Sequence, residues 1–162
     1  MKTSKIEFNP NGVIPDNGNY FGMPVEADDA ALVLISAPWD ATTARRNGSS
    51  YAPDAIIEAS RKIDFYEPSA PYSWRKGIAT LPIDYSIQDL SHRLRSDAQR
   101  VVKVYEEMGL EGLDNIIYSR RVRHVNEGSV AVNENIYRQS QEWLSRGKIV
   151  GLVGGDQSSA FG

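Results

Sequence analysis

The densest group of chemically capable residues is "GGDQSS", Gly154 to Ser159, which follows the apolar run Ile149 to Val153. Glycines after a strand let the backbone adopt unusual φ values and approach a ligand closely. An acid (Asp156), an amide (Gln157) and the hydroxyls of Ser158 and Ser159 then stand in one short loop. The bland reading is a tight turn in which Asp156 caps the next helix. A second polar segment, "PWDATT" from Pro38 to Thr43, follows another apolar run and contributes Asp40. The C-terminal ends of parallel strands are where α/β proteins place their chemistry, so both segments are candidates for one site.

Several chemistries fit these residues poorly. Gly151, Gly154 and Gly155 lack the dinucleotide spacing, and no glycine-rich segment ends in Lys-Ser or Lys-Thr, which argues against a nucleotide site. Ser158 has no Gly-x-Ser-x-Gly elbow around it. The two histidines, His92 and His124, fall in helical or basic surface settings and read as surface residues. For a metal the sequence is short of ligands: it has no HExxH, no Asp-x-His and no Asp-x-Asp, and Asp28-Asp29 precede the first strand at its far end. Read alone, these residues do not make a complete metal-dependent catalyst.

The elements that must position these loops follow from periodicity. "AALVLISA", Ala30 to Ala37, is a continuous apolar run, expected of a strand buried on both faces of a parallel sheet. A polar loop, Trp39 to Tyr51, with turn chemistry at Asn47-Gly48, leads to a helix that starts around Pro53 and Asp54. Its apolar stripe is read as Ala52, Ile56, Ala59 and Ile63. "GIATLPI", Gly77 to Ile83, is the second strand. A helix from about Ser86 to Met108 follows, with Leu90, Leu94, Val101, Tyr105 and Met108 on one face and Gly109 as its stop. A further helix, Ser129 to Leu144, carries Val132, Ile136 and Trp143, and the strand Lys148 to Val153 returns to the sheet. Strands alternate with helices, so the fold class is α/β with a mostly parallel sheet flanked by helices. Residues 1–30, rich in Asn, Gly and Pro, read as an arm anchored elsewhere by Tyr20, Phe21 and Met23, and residues 31–162 as the domain proper. The final strand has no crossover helix after it, so either it is an edge strand or the rest of the domain is missing.

Composition narrows the classes of function. Of the 162 residues 41% are apolar and 24% charged, a globular profile rather than a disordered or membrane one. No apolar run reaches the length of a bilayer span, and the first residues lack the core of a secretory signal. Cysteine is absent, so there is neither a disulfide framework nor a thiolate site. A cytoplasmic protein is the simplest default. Net charge is −3, which gives no global case for nucleic acid. The basic stretch "RRVRH", Arg120 to His124, reads as a solvated or inter-subunit patch between two helices.

Taken together, "VLISAPWDATT", "NGSSYAPDAIIEASRKIDFYEP" and "KIVGLVGGDQSS" resemble, in order and spacing, the N-terminal half of the ureohydrolases, the arginase and agmatinase family. "NGNYFGMP" and "DFYEP…WRKGIATLP" are most similar to the agmatinase branch that includes guanidine hydrolases. The resemblance implies a three-layer α/β/α fold, of which this chain is the N-terminal portion. It implies hydrolysis of a guanidino C–N bond by a binuclear Mn²⁺ centre, or Ni²⁺ in the guanidine-hydrolase branch, and a trimeric or hexameric homo-oligomer.

On that pattern Gly154, Gly155, Asp156 and Ser158 match the first ligand motif, Gly-Gly-Asp-His-Ser, and Gln157 stands where the metal-binding His belongs. A neutral amide oxygen suits these ions less well than imidazole. Asp156 is expected to support ligands rather than bind metal, and Asp40 to belong to the site loop. The later motifs, Asp-Ala-His-x-Asp and Asp-x-Asp, are absent, and Ala52 replaces the usual Gly before Pro53. The chain alone is therefore expected to be inactive and to bind at most part of a metal centre, or none. A non-catalytic pseudoenzyme or structural subunit is the alternative.

Overall fold

A computed structural model of the chain describes residues 8–43 and 46–162. Residues 1–7 of the arm, and Ala44 and Arg45 within the Trp39–Tyr51 loop, lie outside the described residues. Three parallel strands form one sheet in the order β2-β1-β3: β1 Leu32–Ser36, β2 Ile78–Thr80 and β3 Ile149–Val153. Val33 aligns with Ala79 on one side and Val150 on the other. β1 is the central strand and is buried along almost its whole length, as its continuous apolar run predicts.

Leu34 and Ser36 face Tyr20 and the helix α1, Ala52–Ser60. Val33 and Ile35 therefore turn to the opposite face of the pleat, where the helix α3, Ile116–Ser145, lies against β1 and β3. The helix α2, Tyr85–Met108, packs on α3. Helices thus cover both faces of a parallel sheet, an arginase-like α/β arrangement.

The expected elements all occur, with shifted faces and ends. In α1 the buried residues are Pro53, Ile57 and Ser60, whereas Ile56 and the following Ile63 are exposed. In α2 the core face is Ile87, Ser91, Leu94, Arg95, Ala98 and Val104, and the expected Tyr105 and Met108 are exposed. Two polar residues, Ser91 and Arg95, hide the true stripe from a reading by apolar period. The last helix starts thirteen residues earlier than Ser129, because Asn115 caps it through a hydrogen bond accepted from Ile117 N–H. Arg120 to His124 consequently lie within α3, not between helices, and Arg121 pairs with Asp97 of α2. Both histidines are exposed.

The described part of the arm is anchored on this same chain. Tyr20 and Met23 are buried, Tyr20 hydroxyl shares a 2.8 Å hydrogen bond with Ser36, and Tyr20 N–H donates to Thr80 Oγ1. No helix among the described residues is long and apolar enough to cross a membrane.

Candidate functional site

The loops after β1 and β3 meet. Ala37 N–H donates to Val153 carbonyl at 2.9 Å, Asp156 N–H to Trp39 carbonyl at 2.8 Å, and Gly155 N–H to Ser49 carbonyl at 3.3 Å. Adjacent parallel strands deliver their C-terminal ends side by side, so the two candidate segments form one structure. Both glycines of the second loop are required by geometry. Gly154 has φ 107° and Gly155 φ 63°, and a Cβ on Gly155 would lie 2.6 Å from Ala37 carbonyl oxygen and 2.7 Å from that of Trp39.

Asp156 organises the turn. It caps a single 3₁₀ turn, Gln157–Phe161. One carboxylate oxygen accepts from Ser158 N–H at 3.0 Å and Ser158 hydroxyl at 2.6 Å; the other accepts from Thr42 hydroxyl at 2.6 Å and, more loosely, Thr43 hydroxyl. Ser158 Oγ also accepts from the indole N–H of the buried Trp39. The bland reading of Asp156 as a cap is thus correct, and the same carboxylate ties the two loops together. With both oxygens engaged, it is placed to hold the loop rather than to ligate.

Gln157 is exposed at the start of that turn. It lines an open groove of about 520 Å³ with Thr42, Thr43, Ser49, Gly155, Asp156 and Ser158. Its side chain makes no hydrogen bond among the described residues.

Asp40 sits one layer deeper, 2% exposed. Its carboxylate accepts from Gly48 N–H at 2.7 Å and from Ser91 hydroxyl at 2.9 Å, while Ser91 Oγ accepts from Asp40 N–H. Burial opposes ionisation of this group. Hydrogen bonds from Gly48, Ser91 and Ser50, with the positive charge of Arg95, outweigh that and hold its carboxyl below the ordinary range. Arg95 donates through one guanidinium nitrogen to the carbonyls of Asp40, Ala41 and Thr43. Its Nε is buried without a partner among the described residues. Ser91 and Arg95, four apart on α2, therefore clamp the first loop from beneath. Sequence reasoning missed both; the available signal was two polar residues at helical spacing inside an otherwise apolar face. Ala52 proves harmless, because its φ of −60° and ψ of −39° are ordinary helical values that need no glycine.

The donor set does not by itself fit a metal centre. No group of three or more His, Cys, Asp or Glu side chains comes together among the described residues. Asp156 and Asp40 have their oxygens committed to hydrogen bonds, so the groove offers no free carboxylate among the described residues, and the Gln157 amide and the Ser49 hydroxyl face it without such bonds.

Two parallel-strand loops locked by a buried Asp and a Gly-Gly-Asp turn, on a helix-covered sheet, define an α/β scaffold with its site at the strand ends. The arginase-family sequence model matches residues 30–162. The chain belongs to the arginase family. Among curated proteins, a 39-residue stretch is 41% identical to the N(1)-aminopropylagmatine ureohydrolase of Synechocystis sp. (strain ATCC 27184 / PCC 6803 / Kazusa). That stretch is 24% of this chain and 13% of the relative's length, so the match spans well under two thirds of the relative. No solved structure matches the chain.

Proposed function

We propose that these residues form one wall of the active site of a ureohydrolase that cleaves a guanidino C–N bond, with Gln157 weakening a metal position. The carrying observation is the Asp156 clamp. It fixes the Gly154–Ser158 loop in a defined shape and presents the side chain of residue 157 to an open groove lined by hydroxyls. That is the arrangement a ligand loop requires, with an amide at its tip. Arginase-family membership and the ureohydrolase relative support the reaction class. In this reading the metal is Mn²⁺ or Ni²⁺, the substrate is agmatine-, guanidine- or arginine-like, and the protein is a cytoplasmic homo-oligomer, a trimer or hexamer. The described residues hold too few ligands, so the 162 residues alone turn over no guanidino compound. The remaining ligands come from elsewhere in the assembled protein.

A second reading, a non-catalytic subunit that keeps the fold, is favoured by Gln157 itself. The deciding experiment compares wild-type and Gln157→His protein, expressed from the complete reading frame, for urea or ammonia release from guanidine, agmatine and arginine with Mn²⁺ or Ni²⁺. Weak wild-type turnover that rises in Gln157→His supports the hydrolase. Absence of turnover in both supports the non-catalytic subunit.

A further inference from the structure

Asparagine followed by glycine occurs three times, at Asn11-Gly12, Asn17-Gly18 and Asn47-Gly48, and all of these residues are exposed. Such a pair can modify itself without an enzyme. The glycine main-chain nitrogen attacks the asparagine Cγ, the Cγ–Nδ2 bond breaks, and ammonia leaves with the proton that the nitrogen loses. Water then opens the five-membered imide at either carbonyl, giving aspartate or isoaspartate. Glycine permits the closure because no Cβ stands in the way. A folded chain prevents it in two ways: by holding the side chain away from the nitrogen, or by holding the N–H on an acceptor.

The three pairs differ in these respects. At Asn17 the side chain is held, since Nδ2 donates to Gly22 carbonyl at 3.1 Å and Oδ1 accepts from Asn19 N–H at 3.1 Å. The Asn11 side chain makes no hydrogen bond among the described residues, and Gly12 N–H donates to the neutral carbonyl of Asn9 at 3.1 Å in an exposed turn. The Asn47 side chain is likewise without a hydrogen bond among the described residues, but Gly48 N–H donates to Asp40 Oδ2 at 2.7 Å. Asp40 is 2% exposed and fixed from beneath by Ser91. An N–H on a buried carboxylate is held more strongly than one on an exposed carbonyl. Removing its proton would also set a second negative charge beside the first.

We propose that Asn47 is a gated self-modification site: the Asp40–Gly48 hydrogen bond keeps it intact, and its conversion to isoaspartate dismantles the loop which that bond holds. Isoaspartate adds one methylene to the main chain between the Cα of residue 47 and Gly48 N. Gly48 N–H is thereby carried off Asp40, and Gly48 carbonyl off its 3.1 Å hydrogen bond from Tyr51 N–H. Ser49 follows directly. Its carbonyl accepts from Gly155 N–H at 3.3 Å, and it lines the groove with Thr42 and Gln157. An ordered loop protects Asn47, and an intact Asn47 keeps the loop ordered, so the modification reinforces itself once begun. Asn11 is the ungated pair and reports the unrestrained rate within the same molecule. The proposal does not depend on what the groove binds.

Peptide mapping by mass spectrometry, on wild-type protein aged at neutral pH with and without urea, tests the gate. In the folded chain Asn47 and Asn17 should convert about tenfold or more slower than Asn11. In urea the three rates should converge. Asp40→Ala should raise the Asn47 rate relative to Asn11 about tenfold and leave Asn17 as slow as before. If that variant merely unfolds, Asn17 rises together with Asn47, and the wild-type comparison decides. The consequence is read by hydrogen exchange. Wild-type protein aged in urea and refolded should exchange the Gly48 and Gly155 amides about tenfold faster than Asn47→Gln protein treated alike. Asn47 as fast as Asn11 in the folded chain, or still slow in urea, would overturn the gate. So would a folded Asp40→Ala protein in which Asn47 converts no faster. Unchanged exchange in the aged wild type would overturn the coupling to the loop.

Discussion

Asp156 and Gln157 are neighbours with opposite situations, and the difference sets what each substitution should do. Asp156 accepts hydrogen bonds at both oxygens from Thr42, Thr43 and Ser158. Asp156→Ala removes that clamp, so amide hydrogen exchange at Gly155 and Ser158 should accelerate while exchange in α2 stays unchanged. Gln157→Ala touches no such network and should leave stability within about 0.5 kcal/mol of wild type in urea unfolding. Asp40 is the more severe case. Removing a buried carboxylate that serves Gly48 and Ser91 should cost about 2 to 3 kcal/mol in Asp40→Ala. Its pH dependence has a definite sign. The folded carboxyl titrates below the unfolded value, near 3.9 for a free Asp. Its contribution is therefore fully present above about pH 4 and lost as pH falls through the folded value. Urea midpoints measured from pH 7 down to pH 2 should drop at the acid end, and Asp40→Asn should flatten that drop.

At the scale of elements, glycine positions carry the sharpest expectations. Gly155 combines a left-handed φ with two backbone oxygens where a Cβ would go. Gly155→Ala should destabilise by about 2 kcal/mol or more, since the strain and the collision are both with main chain. In α3, Gly128 faces Leu94, whose Cδ1 lies 2.2 Å from where a Cβ would stand. Gly128→Val should cost about 1 to 3 kcal/mol through overpacking of the α2–α3 contact, despite better helix propensity than glycine. Both effects are readable as shifts in urea midpoint. The elements were legible in the sequence wherever a single period ruled: β1 from its unbroken apolar run, β3 from Ile149 to Val153, the body of α2 from its length. They were less legible where a polar residue was buried. Ser91 and Arg95 sit in the core face of α2 because the loop after β1 needs donors and acceptors there, and no hydropathy pattern announces that need. The start of α3 was missed for a related reason: its first turns expose Ile116 and Ile117, so the buried stripe begins only at Val125.

For the molecule as a whole, the sheet order β2-β1-β3 is what turns two distant polar segments, more than a hundred residues apart, into one site. The sequence showed both segments and their polar, glycine-bearing character. It did not show that Thr42 and Asp156 touch, because that contact depends on β1 and β3 being neighbours. Family membership over residues 30–162 agrees with this arrangement. On the proposed function, residue 157 is a metal-ligand position of a guanidino hydrolase, weakened by its amide. The most direct test measures bound Mn²⁺ or Ni²⁺ and guanidino turnover side by side in wild-type and Gln157→His protein expressed from the complete reading frame. More metal per subunit and faster turnover are expected in the histidine variant. Wild-type protein that already holds two equivalents of metal, with a turnover that Gln157→His does not raise, would contradict it.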